Sequence, residues 1–249
     1  MINHLMLLSG VEIPFIAAQI IIHPPTLKEI SLVGETAFYT GCGILNFSKD
    51  NLSPEDRVHL EHLSDFEVLM SLLQGNQVAL KQNKACAMMV MSLLFPEYEI
   101  KFTLKEIILK KEDEIRSINK ENFEDFKEII SAMFCLSGRG DENQNYNPGG
   151  KKAQEIADKL RKRKQILAEQ ASEENKEVSM LNRMASIVAV GFKININEVL
   201  DYTLYQLFDQ YDRFELKEAN DIHLKAQLAG ARDLKEIENW RKDLHSKSK

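Results

Sequence analysis

Two histidines and an aspartate are spaced closely enough to suggest a metal site. His59 and His62 are three residues apart, and Asp65 follows after three more. If a single helix carries all three, their side chains lie near one face, and imidazole nitrogens and carboxylate oxygens are ligands that zinc accepts. No further cysteine or histidine lies nearby in the sequence. We therefore favour a solvated polar helix face and predict no metal.

Motifs for phosphate binding or nucleophilic catalysis are absent from the sequence. Neither a G-x-G-x-x-G loop nor a G-x-x-x-x-G-K-[S/T] loop occurs, and there is no G-x-S-x-G elbow. Cys42, Cys86 and Cys135 are widely separated and have no C-x-x-C partner, so each is interpreted as a small core residue. Scattered cysteines also indicate a reduced, intracellular protein. We expect no enzymatic activity and no cofactor.

A basic stretch over residues 151–164 is the strongest candidate for contact with an acidic partner. It has seven Lys or Arg against two acidic residues, although the whole chain has a formal net charge of -6. Such a local excess of positive charge attracts phosphates or an acidic protein. The stretch has no aromatic residue on which bases could stack. We favour a solvated helix face, with a nucleic-acid-binding regulator as an alternative.

The composition is that of a folded protein in aqueous solution. Of the 249 residues, 44% are hydrophobic and 28% are charged, which suits one large domain or two small ones. The apolar start of the chain lacks a basic leading region and is interrupted by Pro14 and Gln19, so we predict no signal peptide. No uninterrupted apolar run of membrane-spanning length occurs. We expect a cytoplasmic protein that does not contact a membrane.

Residues 1–136 are predicted to form a mixed module of helices and a small sheet. Residues 11–23 contain a β-branched run that ends at a Pro-Pro pair, which predicts two short strands or one kinked strand. Apolar and polar residues alternate near 98–118, which predicts a small antiparallel sheet. Helical periodicity prevails elsewhere. The predicted fold class is α+β and predominantly α-helical.

Two helix starts are marked by capping residues. Thr26 with Glu29 three residues later predicts a helix that opens with a capping box. Its later part is expected to be loosened by Gly41 and Gly43. Ser53, followed by Pro-Glu-Asp, predicts a second helix that continues without a break across the histidines described above.

Residues 137–150 are predicted to be a flexible linker between two modules. They are rich in Gly, Asn, Asp and Pro and have no apolar periodicity. The first module is 1–136, and the second, 151–249, is predicted to be entirely helical. Within it, a capping asparagine, Asn195 or Asn197, begins a long helix.

One apolar stripe marks this long helix as a packing element. Apolar side chains recur every three or four residues, as in a helix that buries one seam against other helices. The stripe consists of Leu200, Leu204, Leu207, Phe208, Tyr211 and Phe214. An intramolecular core and a seam between two copies both fit this pattern. If the stripe contacts a partner, the residues expected there are Leu204, Leu207, Phe208, Tyr211, Phe214 and the single tryptophan, Trp240.

Segments near both ends of the chain resemble proteins of tailed-phage structural modules. Residues 23–39 begin with His-Pro-Pro-Thr-Leu-Lys-Glu-Ile, and residues 199–211 contain Thr-Leu-Tyr-Gln-Leu-Phe-Asp-Gln-Tyr. Residues 221–231 contain Lys-Ala-Gln-Leu-Ala-Gly-Ala, and Glu-x-x-Asn-Trp ends at Trp240. Together these segments resemble the tail assembly chaperones of long-tailed phages and prophages, while the middle of the chain is unmatched.

This resemblance implies a non-enzymatic role in virion assembly. Such a chaperone works in the cytoplasm of the host bacterium, binds the long helical tape-measure protein and keeps it soluble. It also helps to recruit the tail-tube protein. The implied partners are therefore the tape-measure protein and the tail-tube protein, and a homo-oligomer is compatible with them. The alternative within the same setting is a structural component of the phage tail, neck or baseplate.

Overall fold

The computed structural model describes residues 3–75, 78–136 and 179–229. These residues form an α+β fold in which helices predominate and two small antiparallel sheets are present. The predicted fold class is therefore confirmed. The predicted linker at 137–150, the basic stretch at 151–164 and Trp240 lie outside the described residues.

The bounds of the elements are as follows. The helices are α1 (His4–Ser9), α2 (Leu27–Val33), α3 (Glu35–Leu45), α4 (Pro54–His59), α5 (Asp65–Leu73), α6 (Val78–Leu94), α7 (Phe123–Met133), α8 (Met180–Phe192), α9 (Ile196–Leu200) and α10 (Leu204–Leu228). The strands are β1 (Ile13–Phe15), β2 (Ile20–Ile22), β3 (Glu99–Phe102), β4 (Glu106–Lys111) and β5 (Glu114–Asn119). Short 3-10 turns occupy Ile16–Ala18 and Lys49–Asn51.

The first sheet is a two-stranded ribbon. Strands β1 and β2 pair antiparallel, with Ile13 opposite Ile22 and Phe15 opposite Ile20, and all four of these side chains are buried. Pro14 lies between them and points to solvent. The interpretation of residues 11–23 as two strands is therefore confirmed over the single kinked strand.

The second sheet has the strand order β3-β4-β5, and both pairs are antiparallel. Phe102 lies opposite Ile107, and Ile107 lies opposite Ile118, so one face of the sheet is apolar and buried. The alternation of apolar and polar residues thus identified the sheet correctly, because a period of two directs every second side chain to the core.

Helices α2 and α3 are separated at a single glycine. Thr26 and Glu29 form the predicted capping box at the start of α2. Gly34 then adopts a φ of 89°, a conformation that favours glycine, and α3 begins at the next residue. Helix α3 continues through Gly41 and Gly43, so the expected loosening at these glycines was wrong.

The helix predicted to run unbroken from Ser53 is two helices. Helix α4 ends at His59 and α5 begins at Asp65. The break follows from a second capping box, in which the Ser64 hydroxyl oxygen accepts from the backbone N–H of Glu67 while the Glu67 carboxylate accepts from the backbone N–H of Ser64. This local cap ends the apolar periodicity that suggested one helix.

A single hydrophobic cluster contains residues from both sides of the segment 137–178. Phe38 and Phe126 contribute from the earlier part of the chain, and Val188 and Leu207 from the later part. The division into a module 1–136 and a module 151–249 stays a prediction, because its boundary lies outside the described residues. No helix within the described ranges has both the length and the hydropathy needed to cross a bilayer.

Candidate interaction surface

Helix α10 begins at a capping box that also fixes it to the start of the chain. The Thr203 hydroxyl oxygen accepts from the backbone N–H of Gln206 at 3.3 Å, and the Gln206 side-chain oxygen accepts from the backbone N–H of Thr203 at 2.8 Å. The Gln206 side-chain nitrogen donates to the carbonyl oxygen of Leu8 at 2.7 Å. The Thr-x-x-Gln spacing within the phage-like segment thus has a structural role.

The long helix predicted from Asn195 is likewise two helices. Asn195 caps the short helix α9, where its side chain accepts from the backbone N–H of Asn197 at 2.9 Å. Helix α9 ends at Leu200, and α10 starts after the new cap at Thr203. The prediction of one continuous helix was therefore wrong, because a polar cap interrupts the stripe at this point.

The first half of α10 is a core element. Leu204 is 1% exposed and Leu207 is fully buried. Asp209 is also buried, and its carboxylate accepts from Arg213 Nε at 2.8 Å and from Nη2 at 3.1 Å. The stripe begins as an intramolecular seam, so Leu204 and Leu207 are not available to a partner in this conformation.

The next residues of the stripe reach the surface. Phe208 and Tyr211 are half-buried against the core, and the Tyr211 hydroxyl donates to Glu215 at 2.5 Å. Phe214 is half-buried too, and its ring lies where a Cβ on Gly191 would be. Of the residues predicted at a partner surface, Phe208, Tyr211 and Phe214 therefore have exposed area, while Trp240 lies outside the described residues.

Beyond Phe214, α10 carries apolar side chains that the described residues do not cover. Leu224 is 55% exposed and Leu228 is 89% exposed. At 100° per residue, Phe214, Leu224 and Leu228 fall within about 80° of the helix circumference, so they share one side. Every described side chain from Glu215 onward is half-buried or exposed. This half of α10 is thus not part of the core.

The end of α8 extends this apolar side. The exposed ring of Phe192 meets the Phe214 ring edge-on, with centroids 6.1 Å apart. Gly191 permits this contact, since a Cβ there would come within 2.4 Å of the Phe214 ring. We define the α10 surface as Phe192, Phe214, Leu224 and Leu228.

Three residues of the α10 surface were missed by the sequence analysis. Phe192 is the last residue of α8, and Leu224 and Leu228 follow the end of the apolar stripe. The available signal was that Leu224 and Leu228 are spaced by four, as on one helix face. Their spacing does not tell whether another helix covers them.

The structure does not bring the three suggested metal ligands together on a helix face. His59 ends α4, His62 lies in the turn that follows, and Asp65 begins α5. The Asp65 carboxylate accepts from Lys127 Nζ at 3.1 Å. Within the described ranges, no group of three or more His, Cys, Asp or Glu side chains is placed to hold a metal ion.

The cysteines differ in burial. Cys42 and Cys86 are buried, as expected for small core residues, and Cys135 is half-buried. Burial raises the pKa of the Cys42 thiol well above its ordinary value, which disfavours the nucleophilic thiolate at this position.

Comparison with known proteins gives one partial match. Residues 173–245 match the model of the YomV second domain, which is a phage-associated family. This range includes α8, α9 and α10 and is less than a third of the chain. No curated protein and no solved structure shows significant similarity. The match supports a phage origin for the part of the chain that carries the α10 surface.

Proposed function

We propose that this chain is a phage tail assembly chaperone that binds the tape-measure protein and aids tail-tube assembly without catalysis. Two observations from the sequence support the proposal: the resemblance of both ends of the chain to tail assembly chaperones, and the similarity of residues 173–245 to a phage-associated domain. Leu224 and Leu228 of the α10 surface lie in the region where these two similarities overlap.

The observation that carries the proposal is the exposed apolar row at the end of α10. Exposed single leucines are ordinary, but Leu224 and Leu228 are one turn apart on the side of α10 that carries the Phe192–Phe214 ring contact. The charged residues Lys217 and Asp221 lie between Phe214 and these leucines on the same side. The distance along the helix axis from Phe214 to Leu228 is about 21 Å, or about four turns. An amphipathic helix is recognised through apolar residues spaced by three, four or seven, and Leu224 and Leu228 are spaced by four. A long helical client such as a tape-measure protein supplies such faces repeatedly.

Co-expression in bacteria tests this role. The tape-measure protein encoded with this chain is produced alone, with the wild-type chain, and with a Leu224→Ser/Leu228→Ser variant. We expect the client to stay soluble with the wild-type chain and to precipitate when it is alone or with the variant. Serine in place of leucine removes apolar contact area, and each Å² of buried apolar area contributes about 25 cal/mol to binding.

A matched control tests whether the loss of solubility is specific to the α10 surface. Leu32 and Leu104 are exposed leucines on α2 and in the β3–β4 turn, outside the α10 surface. The variant Leu32→Ser/Leu104→Ser removes the same side chains and should keep the client soluble. Equal loss of solubility in both variants, or a client whose solubility does not depend on this chain, contradicts the proposal.

Mass spectrometry of purified particles distinguishes the chaperone from the structural alternative. A chaperone leaves the assembled tail and should be absent from finished particles. Its presence at the stoichiometry of a tail, neck or baseplate component would replace the chaperone proposal with that of a structural protein.

A further inference from the structure

A second open surface lies between β1 and α7, on elements that contribute nothing to the α10 surface. It is a groove of about 270 Å³ lined by Met6 and residues 13–17 on one wall and by Asp125, Glu128 and Ile129 on the other. Such a volume is at the lower limit for small-molecule pockets, which suits a few inserted side chains better than a whole ligand.

The floor of the groove and its rim on the β1 side are apolar. Ile13, Phe15 and Ile129 are buried at its base, while Ile16 at the rim is 83% exposed. Pro14 and Ala17 are exposed beside it. An exposed isoleucine beside a recess lined with apolar groups is a position at which a partner can bury area that this chain leaves in water.

The charged residues that line the groove within the described ranges, Asp125 and Glu128, are both acidic. Asp125 and Glu128 are exposed, are three residues apart on α7 and so lie on one face of that helix. Glu12 is exposed directly before β1. None of these three carboxylates forms an ion pair within the described residues. The sequence has no Lys or Arg before Lys28, so the β1 wall offers no positive charge.

The backbone at the edge of β1 determines whether a partner can bind as a strand or as a helix. Strand β1 pairs with β2, and Pro14 is its central residue. Proline has no N–H to donate, so it blocks extension of the ladder by an added strand. A partner must therefore bind through side chains, as an amphipathic helix does when it lays its apolar face into a groove.

We propose that the groove between β1 and α7 binds a basic amphipathic helix of a partner protein. Apolar side chains of that helix contact Ile16, Phe15 and Ile129. Its Lys and Arg side chains lie against Asp125, Glu128 and Glu12. This recognition is independent of the proposed chaperone role, because it involves neither α8 nor α10.

Fluorescence anisotropy with synthetic probes tests the proposal on the full chain. The probe is a labelled 18-residue helical peptide with Leu at i, i+3, i+4 and i+7 and Lys on the flanking positions. One control peptide has Glu in place of every Lys, and another has the same composition in a non-amphipathic order. We expect the basic amphipathic peptide to bind at least about tenfold more tightly than either control, which corresponds to ~1.4 kcal/mol.

Charge-reversal variants locate the site. Asp125→Lys/Glu128→Lys should weaken binding of the basic peptide at least about tenfold, since it places like charges against the probe. The matched control, Glu61→Lys/Asp113→Lys, makes the same change in net charge at two exposed positions outside the groove and should leave binding within about twofold. Replacement of Ile16 by Ser should weaken binding without altering its dependence on salt.

Three outcomes would overturn the proposal. The first is equal weakening in the groove variant and in the control variant, which indicates non-specific attraction to an acidic protein. The second is equal binding of the non-amphipathic peptide. The third is sedimentation that shows the wild-type chain to be a dimer and the Asp125→Lys/Glu128→Lys variant a monomer, in which case a second copy of this chain occupies the groove. If the α10 variant no longer solubilises the client but binds the peptide as the wild type does, the groove is a binding site separate from the α10 surface.

Discussion

At the scale of single residues, the crossing of α3 and α6 depends on a missing side chain. A Cβ on Gly41 would lie 2.4 Å from the Cys86 carbonyl oxygen and 2.6 Å from Val90 Cγ2. We predict that Gly41→Ala lowers the free energy of unfolding by about 1–3 kcal/mol, because α6 must move away from its backbone contact. Urea denaturation measures the change.

The same helix supplies the control for this substitution. Gly43 is exposed and has nothing within 4 Å of its would-be Cβ. Gly43→Ala should therefore stabilise the protein by up to about 1 kcal/mol, since alanine is the better helix former. Destabilisation of similar size at both positions would show that α3 and α6 do not approach at Gly41 as described.

A carboxylate in the α5 cap makes stability depend on pH. The backbone N–H and the hydroxyl of Ser64, together with Lys120, lower the pKa of Glu67 from 4.5 to about 2. Because this pKa is depressed in the folded state, the stabilisation is present above pH 4.5 and is lost as the pH falls toward 2.

We predict that Glu67→Gln lowers the urea midpoint at pH 7 and that the difference from wild type shrinks steadily between pH 4.5 and pH 2. Glu61→Gln, at an exposed position in the turn before the cap, is the matched control and should show no such convergence. A Glu67 variant whose deficit is the same at pH 7 and at pH 2 would mean that the ionised carboxylate does not stabilise this cap.

At the scale of elements, α10 combines a buried half and an open half in one helix. Leu207 is fully buried and Leu228 is 89% exposed, although both belong to apolar rows on the same helix. We predict that Leu207→Ala costs about 2–5 kcal/mol of unfolding free energy, because it leaves a cavity. Leu228→Ala should change it by no more than about 0.5 kcal/mol.

The two substitutions should affect solubilisation of the client in the opposite order, with the larger loss of solubilisation in Leu228→Ala. Leu228→Ala should weaken solubilisation of the tape-measure protein in a chain that is as stable as wild type. If Leu228→Ala destabilises the isolated chain as strongly as Leu207→Ala does, the end of α10 belongs to the core and not to a partner surface.

Local sequence patterns predicted the helices and strands more accurately than the polar caps that interrupt the helices. The Thr26–Glu29 cap and the alternation of the three-stranded sheet depend on neighbouring residues, so they were predicted correctly. The caps at Ser64 and Thr203 have the same Ser/Thr-x-x-Glu/Gln spacing, but the apolar periodicity on either side hid them. A polar cap ends a helix wherever its hydrogen bonds can form, even within a continuous apolar pattern.

The candidate surfaces were less accessible to sequence analysis than the elements. The stripe from Leu200 to Phe214 was predicted to pack either in an intramolecular core or against a partner, and Phe214 is its member that belongs to the α10 surface. Which part of the stripe is buried depends on where α1, α7 and α8 pack, and that is set by contacts between residues distant in sequence. The groove at β1 combines a wall from residues 13–17 with a wall from α7, so no local pattern marks it.

At the scale of the whole molecule, hydrogen bonds tie the later helices to the first elements of the chain. The backbone N–H of Leu27 donates to the Tyr202 carbonyl oxygen at 2.9 Å, and Gln206 donates to Leu8 at 2.7 Å. The Lys28 ammonium lies 2.8 Å from the Asp201 carboxylate, although that pair is exposed and contributes little. Both regions also share one hydrophobic cluster.

We therefore predict that the described regions unfold in one cooperative transition, with a ratio of calorimetric to van't Hoff enthalpy near one. Leu69→Ala in α5 and Leu207→Ala in α10 each remove a buried side chain, one on each side of the segment 137–178. Each should lower the midpoint of that same transition, because loss of packing in a shared core weakens all of it. Two transitions, of which Leu207→Ala lowers only one, would instead mean that the later helices fold as a separate unit and dock on the first. In that case, the α10 surface could detach together with its own module when a client binds.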